Sequence, residues 1–375
     1  MPSPTPSSGA EGSRARPLRV ALLTSTRERC GVAEYSRHLA AALRRFVSLD
    51  TISVEPLPLD RSTISRLNAA DVVHLQHEYS FFGSALPGRS RLPEVLRAIE
   101  RPCVITAHTV APAEEVLGIE TTSGWRRLAK GCLLRSRRLR RWIEVGPFLD
   151  AARVIVHSRH ARERLIAAGL PSERVVYLPM PVPRLAPPPA ETETSLPQAP
   201  FMLTFGFLTP AKGMDEAVRA LREYPGLLLV VGEARGEIGK ATLARLDAEA
   251  RAAGVRDRVR YLAYVPDAVL DRLLRAAEIV ALPYRSGTGS YALVRALACE
   301  AVVVGSDLAL FDDYPFLPRF GRRAGRSLGE VARALADSPE QRAAIRQAAR
   351  TYAAQHGWDD AARRHVELYH AAAAR

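Results

Sequence analysis

The chain has 375 residues, 47% of them apolar, and a formal net charge of +13 at pH 7. Since single hydrophobic cores stop growing at roughly 250–300 residues, this length favours two globular domains with a cleft. The Pro-, Ser- and Gly-rich residues 1–16 are predicted to be a disordered tail without the apolar core of a signal peptide, and no apolar run approaches the roughly 20 residues that cross a bilayer. Composition thus excludes a membrane-spanning helix and predicts a cytoplasmic protein.

The basic residues and the cysteines give only weak evidence about function. Only three of the 53 basic residues are lysines, so the charge is explained as well by a coding preference for Arg as by an anionic partner. The four cysteines lie far apart and have none of the paired spacings of zinc or redox sites. A reduced cytoplasmic setting fits this usage.

The first half of the chain alternates short apolar segments with helical patterns. Strands are predicted at residues 18–24, 50–54, 72–75, 104–106 and 154–157, with a helix at 32–45 after the first of them. This alternation predicts an α/β domain with a parallel sheet covered on both faces, spanning residues 17–180. Ligands collect at the carboxyl ends of such strands, so the segments after them are expected to line one cleft.

A second βα series follows a Pro-rich linker at residues 181–199. Strands are predicted at residues 201–205, 227–231, 259–261, 278–282 and 301–304, and helices at 214–222, 240–253 and 268–276. The sequence therefore predicts a second Rossmann-like domain over residues 200–355, facing the first across a cleft.

The segment from Leu282 to Asp307 carries the clearest local signal. An apolar strand ends at Pro283, a Gly- and Ser-rich loop follows, and a helix of small apolar residues begins at Tyr291. Such a turn directs backbone N–H groups and the positive end of the helix dipole toward one point, which suits a phosphate.

Motifs along the chain then resemble those of the retaining, nucleotide-sugar-dependent glycosyltransferases of the GT-B fold, group 1 and family 4-like. The resemblance runs from about residue 19 to residue 369. Its markers occur in the order of that family: Cys30 to Ser36, Thr106 to Thr109, Gly206 to Leu208, Lys212-Gly213, Val231 to Glu233, Ala277 to Tyr284, and Trp358 before the final helix.

The resemblance implies a UDP- or GDP-sugar donor held by the second domain, an acceptor over the first, and a final helix at residues 356–375 that crosses back to the first domain. It implies catalytic roles for His108 and Lys212, the latter at the diphosphate. No cofactor beyond the donor and no metal is expected. The donor-binding residues implied are Gly206, Lys212, Gly213, Glu233, Tyr284, Thr288, Gly289, Ser290 and Arg295, and those on the acceptor side are Cys30, Gly31 and Glu34.

The chain also departs from the family pattern. Two glutamates that usually contact the donor sugar and the ribose are replaced by Gly287 and Arg295, and the Arg that precedes the diphosphate Lys is replaced by Phe207. We expect Arg295 to face the cleft and bind phosphate in place of that missing Arg. The leading hypothesis is therefore transfer of a hexosyl unit to an acceptor hydroxyl, with retention, in glycan or glycoconjugate synthesis. The alternative is a non-catalytic GT-B protein that binds a sugar nucleotide or a partner.

Two further patterns have weaker interpretations. His74, His77 and Glu78 do not have the spacing of a zinc helix, so a metal site is not favoured. Residues 125–141 carry eight cations and no acid, with leucines interleaved, and this run is either a solvated helix or a surface for anionic membrane. The run could also contact an anionic glycan, whereas nucleic acid is disfavoured because aromatic platforms are few. The acceptor that the family resemblance implies is a glycan, a lipid-linked compound or a small molecule.

Overall fold

A computed structural model describes residues 16–27, 30–83, 90–117, 124–185 and 196–374. The predicted tail, apart from Arg16, and the larger part of the predicted linker lie outside these residues. Within them, none of the helices is long and apolar enough to cross a membrane.

Two separate parallel sheets organise the described residues. The first has the strand order β2-β1-β3-β4-β5-β6, and the second has the order β12-β11-β10-β7-β8-β9. The strands are β1 Arg19–Thr24, β2 Ser48–Ser53, β3 Val72–His77, β4 Cys103–Ala107, β5 Arg153–Val156, β6 Val175–Tyr177, β7 Phe201–Phe205, β8 Leu227–Val231, β9 Val259–Leu262, β10 Ile279–Leu282, β11 Val303–Ser306 and β12 Arg319–Phe320. The predicted α/β class with two parallel sheets is confirmed.

Helices cover both faces of each sheet, as parallel strands require. In chain order they are α1 Gly31–Leu43, α2 Arg61–Asn68, α3 Leu92–Ala98, α4 Ala113–Val116, α5 Gly124–Leu133, α6 Arg137–Val145, α7 Arg159–Ala167, α8 Met214–Ala220, α9 Gly236–Ala252, α10 Asp267–Ala276, α11 Tyr291–Ala298, α12 Leu328–Ala336, α13 Pro339–Gln355 and α14 Trp358–Ala373.

The last helix, α14, packs on the first domain rather than on the second. Trp358 and Tyr369 are buried in one apolar cluster with Tyr35 and Leu39 of α1 and with the inner face of the first sheet. Since burial of a large apolar side chain stabilises by roughly 1.5–3 kcal/mol, this contact couples the end of the chain to the first domain.

The central strands of both sheets lie where the apolar runs in the sequence predicted them. The differences between prediction and structure concern elements with weaker sequence signals. Helix α9 begins at Gly236, four residues before the predicted start, and β11 runs over Val303–Ser306 rather than residues 301–304. The short strands β6 and β12 and the helices α12 and α13 were not assigned from sequence. Strands of two or three residues carry too little periodicity to be recognised without their neighbours.

Candidate functional site

The carboxyl ends of the two sheets meet, and the loop before α11 touches the first domain. The backbone N–H of Val110 donates to Thr288 Oγ1 at 2.8 Å. A Cβ on Gly289 would lie 3.4 Å from the carbonyl oxygen of His108, and one on Gly31 would lie 4.0 Å from Tyr291 Cβ. The loops predicted for donor and acceptor are therefore in direct contact.

Lys212 lies in the loop between β7 and α8, where Gly213 allows two segments to approach. Gly213 has φ of 60°, and a Cβ there would lie 1.9 Å from the carbonyl oxygen of Pro283, so no other residue fits without displacing the backbone. The Nζ of Lys212 lies 3.8 Å from the centroid of the Tyr284 ring. This cation–π contact holds the ammonium group at the end of β10.

Tyr284 links this lysine to the start of α11. Its buried hydroxyl lies 3.1 Å from Ser290 Oγ, which accepts a hydrogen bond from the backbone N–H of Leu293. Ser290 is thus the N-cap of an eight-residue helix, as predicted. The arrangement brings Lys212, Tyr284 and the N-terminus of α11 to one place, where a cation and a helix dipole both favour an anion.

His108 follows β4 and is held by a chain of buried hydrogen bonds. Its Nε2 lies 2.8 Å from Gln76 Oε1, and Gln76 Nε2 lies 3.0 Å from His74 Nε2. His74 Nδ1 lies 2.6 Å from the hydroxyl of Tyr369 on α14, and its Nε2 lies 2.8 Å from Thr106 Oγ1. Helix α14 is therefore connected to His108 by hydrogen bonds through the side chains of His74 and Gln76 on β3.

This series of hydrogen bonds determines which ring nitrogens carry protons, given the orientation of the Gln76 amide. The Gln76 carbonyl oxygen only accepts, so His108 Nε2 carries the proton; the amide nitrogen only donates, so His74 Nε2 accepts. Burial lowers the pKa of His108 well below its ordinary value, and the neighbouring His157 and His77 lower it further. His108 is therefore neutral, and its Nδ1 offers a lone pair to a hydroxyl.

Arg295 is not free to meet a phosphate in this structure. Its side chain is 7% exposed; Nε donates to Asp271 Oδ1 at 2.8 Å, and one terminal nitrogen donates to Asp267 Oδ1 at 2.9 Å. Glu34 of α1 lies 3.6 Å away across the domain boundary. The expectation that this guanidinium faces the cleft as a phosphate ligand is thus not supported, because three carboxylates surround it.

The structure also shows the surroundings of Gly287 and Phe207, the other two positions that differ from the family pattern. Gly287 has φ of 140°, a backbone conformation that a Glu side chain would rarely adopt. Phe207 is 41% exposed after β7, with the guanidinium of Arg235 over its ring at 4.2 Å. Arg235 in turn donates to Glu233 at 2.9 Å. Gly206 and Glu233 therefore lie at the ends of neighbouring strands beside an aromatic surface.

The residues predicted on the acceptor side, Cys30, Gly31 and Glu34, lie at the start of α1. Cys30 is the N-cap residue and makes no side-chain capping bond, and Gly31 begins the helix. Burial raises the pKa of Glu34, an effect that the charge of Arg295 partly offsets. Gly31 and Glu34 approach Tyr291 and Arg295 of α11, so these two residues lie at the domain boundary, whereas Cys30 packs against the core of the first domain.

The HLQHE segment does not gather ligands for a metal. His74 and His77 lie on opposite faces of β3, because side chains alternate along a strand. Glu78 accepts hydrogen bonds from the Thr109 hydroxyl at 2.7 Å and from the backbone N–H of Tyr79. Within the described ranges, no group of three or more His, Cys, Asp or Glu side chains is placed to hold a metal ion.

Gln76 and Tyr35 were not among the predicted catalytic or binding residues, although the segment that begins at Gln76 was expected to line the cleft. The Tyr35 ring packs edge-on against His108, with centroids 4.9 Å apart. The available signal was the pattern of β3, in which His74 and Gln76 are polar residues on one face of a fully buried strand. Buried polar side chains require partners, which directs attention to that face.

Comparisons with known proteins agree along the chain. A family model described as Glycosyltransferase Family 4 matches residues 10–184, and one described as Glycosyl transferases group 1 matches residues 191–314. D-inositol 3-phosphate glycosyltransferases of Xylanimonas cellulosilytica and Segniliparus rotundus are 31% and 32% identical over 179 and 177 residues, which is 46% and 44% of this chain and 42% and 39% of those proteins. The chain thus spans about two-fifths of the length of the curated relatives it matches.

Solved structures share the fold at low sequence identity. Anabaena HepE in complex with UDP and glucose has a TM-score of 0.69 at 15% identity, covering 93% of this chain and 98% of that one. Sucrose-phosphate synthase from Thermosynechococcus elongatus has a TM-score of 0.69 at 17% identity, covering 94% and 98%. Two family models that together match most of the chain, and this shared two-domain fold, show that the protein belongs to the group 1 glycosyltransferases of the GT-B fold.

Proposed function

We propose that the protein transfers a hexosyl unit from a UDP- or GDP-sugar to an acceptor hydroxyl, with retention, in glycan or glycoconjugate synthesis. The observation that carries this proposal is the convergence of Lys212, Tyr284 and the capped start of α11 at the cleft. Solved relatives named as complexes with UDP and with UDP-glucose make UDP-sugars the first donors to test.

The proposed donor site supplies positive charge where the sugar–phosphate bond breaks. The leaving diphosphate gains negative charge in the transition state, so preorganised donors that face it lower the barrier. Lys212, held at 3.8 Å over Tyr284, and the N–H groups of the loop before α11 provide such donors. The charge is thus balanced by the protein, and metal independence is part of the proposal.

His108 is proposed to orient the donor sugar. In its neutral form the ring accepts a hydrogen bond at Nδ1, because Gln76 holds the other nitrogen as a donor. An acceptor at the carboxyl end of β4 suits a sugar hydroxyl beside the diphosphate. The leaving phosphate then takes the proton of the acceptor hydroxyl on the same face of the sugar, and no carboxylate nucleophile is needed, unlike in retaining glycosidases.

Donor binding is tested first, without any assumption about the acceptor. A thermal-shift panel of UDP, GDP, ADP and dTDP should show stabilisation by one nucleotide, since a ligand that binds only the folded state raises the melting temperature. Turnover is then measured with sugar conjugates of that nucleotide and a set of sugar and sugar-phosphate acceptors. The inositol phosphate named for two relatives is one of these acceptors.

Lys212→Ala tests the role of the cation directly. We expect at least a tenfold loss of kcat/KM for the best donor, about 1.4 kcal/mol of transition-state stabilisation. Lys240→Ala is the matched control, because Lys240 is exposed on α9 and pairs with Glu237. A smaller loss in Lys212→Ala, or an equal loss in both variants, would contradict the assignment.

The basic run at residues 125–141 is proposed to contact an anionic membrane surface. Trp125 and Leu128 of α5 are each 73% exposed, and α6 adds arginines beside Trp142, which is 43% exposed. Exposed aromatic and basic side chains on adjacent helices suit a lipid interface. Cosedimentation with vesicles that contain phosphatidylglycerol, but not with purely phosphatidylcholine vesicles, is the expected result.

A second candidate is a GT-B protein that binds a nucleotide or a partner without turnover. The observation that favours it is the combination of Gly287 at a positive φ and Arg295 enclosed by carboxylates, which leaves neither position to contact the donor. Nucleotide stabilisation without transfer from any matching sugar conjugate would select this candidate over the enzyme.

A further inference from the structure

The first domain contains an apolar cavity that the proposed donor site does not use. It has a volume of about 280 Å³ and lies between residues 77–82 at the end of β3, helix α3 and the end of α6. Its lining is mainly apolar and includes Phe82, Leu96, Trp142 and Pro147. The cavity is partly open to solvent, so it is accessible to a ligand from outside the domain.

The volume indicates what the cavity can hold. An engineered apolar cavity of about 150 Å³ stays dry and binds benzene. The cavity near α3 is nearly twice that size, and it approaches the roughly 300 Å³ at which small-molecule sites begin. A bicyclic aromatic ring or a short alkyl chain therefore fits, whereas a polar sugar would lose its hydration there.

Two polar side chains in the lining, His77 and Tyr79, each have a buried atom that lacks a hydrogen-bond partner among the described residues. His77 is 1% exposed, and its Nδ1 makes no hydrogen bond with the described residues. Its ring packs against those of Phe82 and Phe148, with centroids 5.9 and 5.1 Å away. Burial lowers the pKa of His77 to about 3, so the imidazole is neutral, and its unpartnered Nδ1 is a donor or an acceptor according to the tautomer. Buried polar groups are normally satisfied, so a ligand with a hydroxyl would complete this cavity.

The cavity adjoins the cleft through consecutive residues. The carbonyl of His77 accepts the backbone N–H of His108 at 3.1 Å. The next residue, Glu78, binds the hydroxyl of Thr109, which precedes the Val110 N–H that contacts the donor-domain loop. A molecule held in the cavity therefore lies on the acceptor side, next to the residue proposed to orient the donor sugar.

We propose that this cavity receives the apolar part of the acceptor, an aromatic or short alkyl group whose polar substituent hydrogen-bonds to His77. The proposal rests on the proposed sugar transfer, and it narrows the acceptor class from any hydroxyl compound to amphiphilic ones. The hydroxyl that accepts the sugar belongs to the part of the molecule that extends toward the cleft.

Binding to the cavity is tested without a donor. Equilibrium dialysis of the full chain with 2-naphthol and with naphthalene should show saturable binding of both. Leu96→Trp, which fills the cavity, should abolish it, and Ile238→Trp on an exposed site of the second domain should not. His77→Phe keeps the ring but removes its nitrogens, so we expect about tenfold weaker 2-naphthol binding and unchanged naphthalene binding. This variant also keeps the test decisive should Leu96→Trp not fold.

Either of two results would overturn the cavity assignment: no saturable binding by the native protein, or equal binding by the native protein and the folded Leu96→Trp variant. The acceptor role is tested once a donor turns over. Naphthyl glycosides should then have a lower acceptor KM than methyl glycosides, and 2-naphthol should compete with the acceptor. Probe binding without such competition contradicts the acceptor role. If the native protein binds the probe but transfers sugar from none of the donors, the proposed function is contradicted instead.

Discussion

Replacing Arg295 by Leu separates a structural role from phosphate binding. The guanidinium has 7% exposure and contacts Asp271, whose side chain is 10% exposed, as well as Asp267, which is 66% exposed. Removal of the cation leaves the Asp271 carboxylate buried without a counter-charge. The exposed Asp267 loses little, because solvent already screens its pair.

The size of the effect follows from this burial. Breaking a buried ion pair from one side costs about 3–5 kcal/mol, whereas replacing both partners by apolar residues is often neutral. At roughly 2–4 °C per kcal/mol for a domain of this size, Arg295→Leu should lower the melting temperature by roughly 6–20 °C. Arg295→Leu combined with Asp271→Leu should recover most of this loss, which makes the pair strongly coupled.

The assay is thermal and chemical denaturation of the native protein, both single variants and the double variant, with donor kinetics measured in parallel. Arg333→Leu is the control, because the Arg333 pair with Asp337 is exposed on both sides and should contribute at most about 1 kcal/mol. We expect Arg295→Leu to change stability and to leave the donor KM unaltered. A loss below about 1 kcal/mol together with a raised donor KM would refute this reasoning and restore the phosphate role.

Three other predictions concern the first domain and α14. Gln76→Leu removes the bond that orients His108, and kcat/KM should fall by about tenfold or more while the fold, checked by circular dichroism, persists. Burial lowers the pKa of His157 and of His365 to about 4, so the unfolded chain binds more protons between about pH 4 and 6.5, and denaturation midpoints should fall as the pH drops through this window. A midpoint independent of pH in that range would contradict their neutral burial. Truncation before Trp358 should lower the melting temperature of the first domain, and an unchanged value would contradict the packing of α14.

The sequence predicted most of the second sheet because its strands are uninterrupted apolar runs. The strands Phe201–Phe205 and Leu227–Val231 were placed at their observed bounds, and the start of α11 at Tyr291 followed from the capping serine before it. Such signals are local, since strand burial and helix capping depend on residues a few positions apart. They also predicted which loops lie at the cleft.

The partners of the site residues could not be predicted in the same way. The role expected for Arg295 depended on the direction of its side chain, and that direction is set by Asp267 and Asp271 on α10 and by Glu34 from the other domain. Proton positions on His108 likewise depend on a chain of contacts that ends in the final helix.

The amino-acid sequence alone therefore determined two parallel βα domains, the cleft between them and a lysine–glycine loop after the first strand of the second domain. Only the tertiary structure decided that Lys212 rests on Tyr284 and that Arg295 joins the domains. The physical reason is that periodicity and propensity act along the chain, whereas hydrogen bonds and ion pairs join residues that are distant in sequence and meet only when the two sheets face each other.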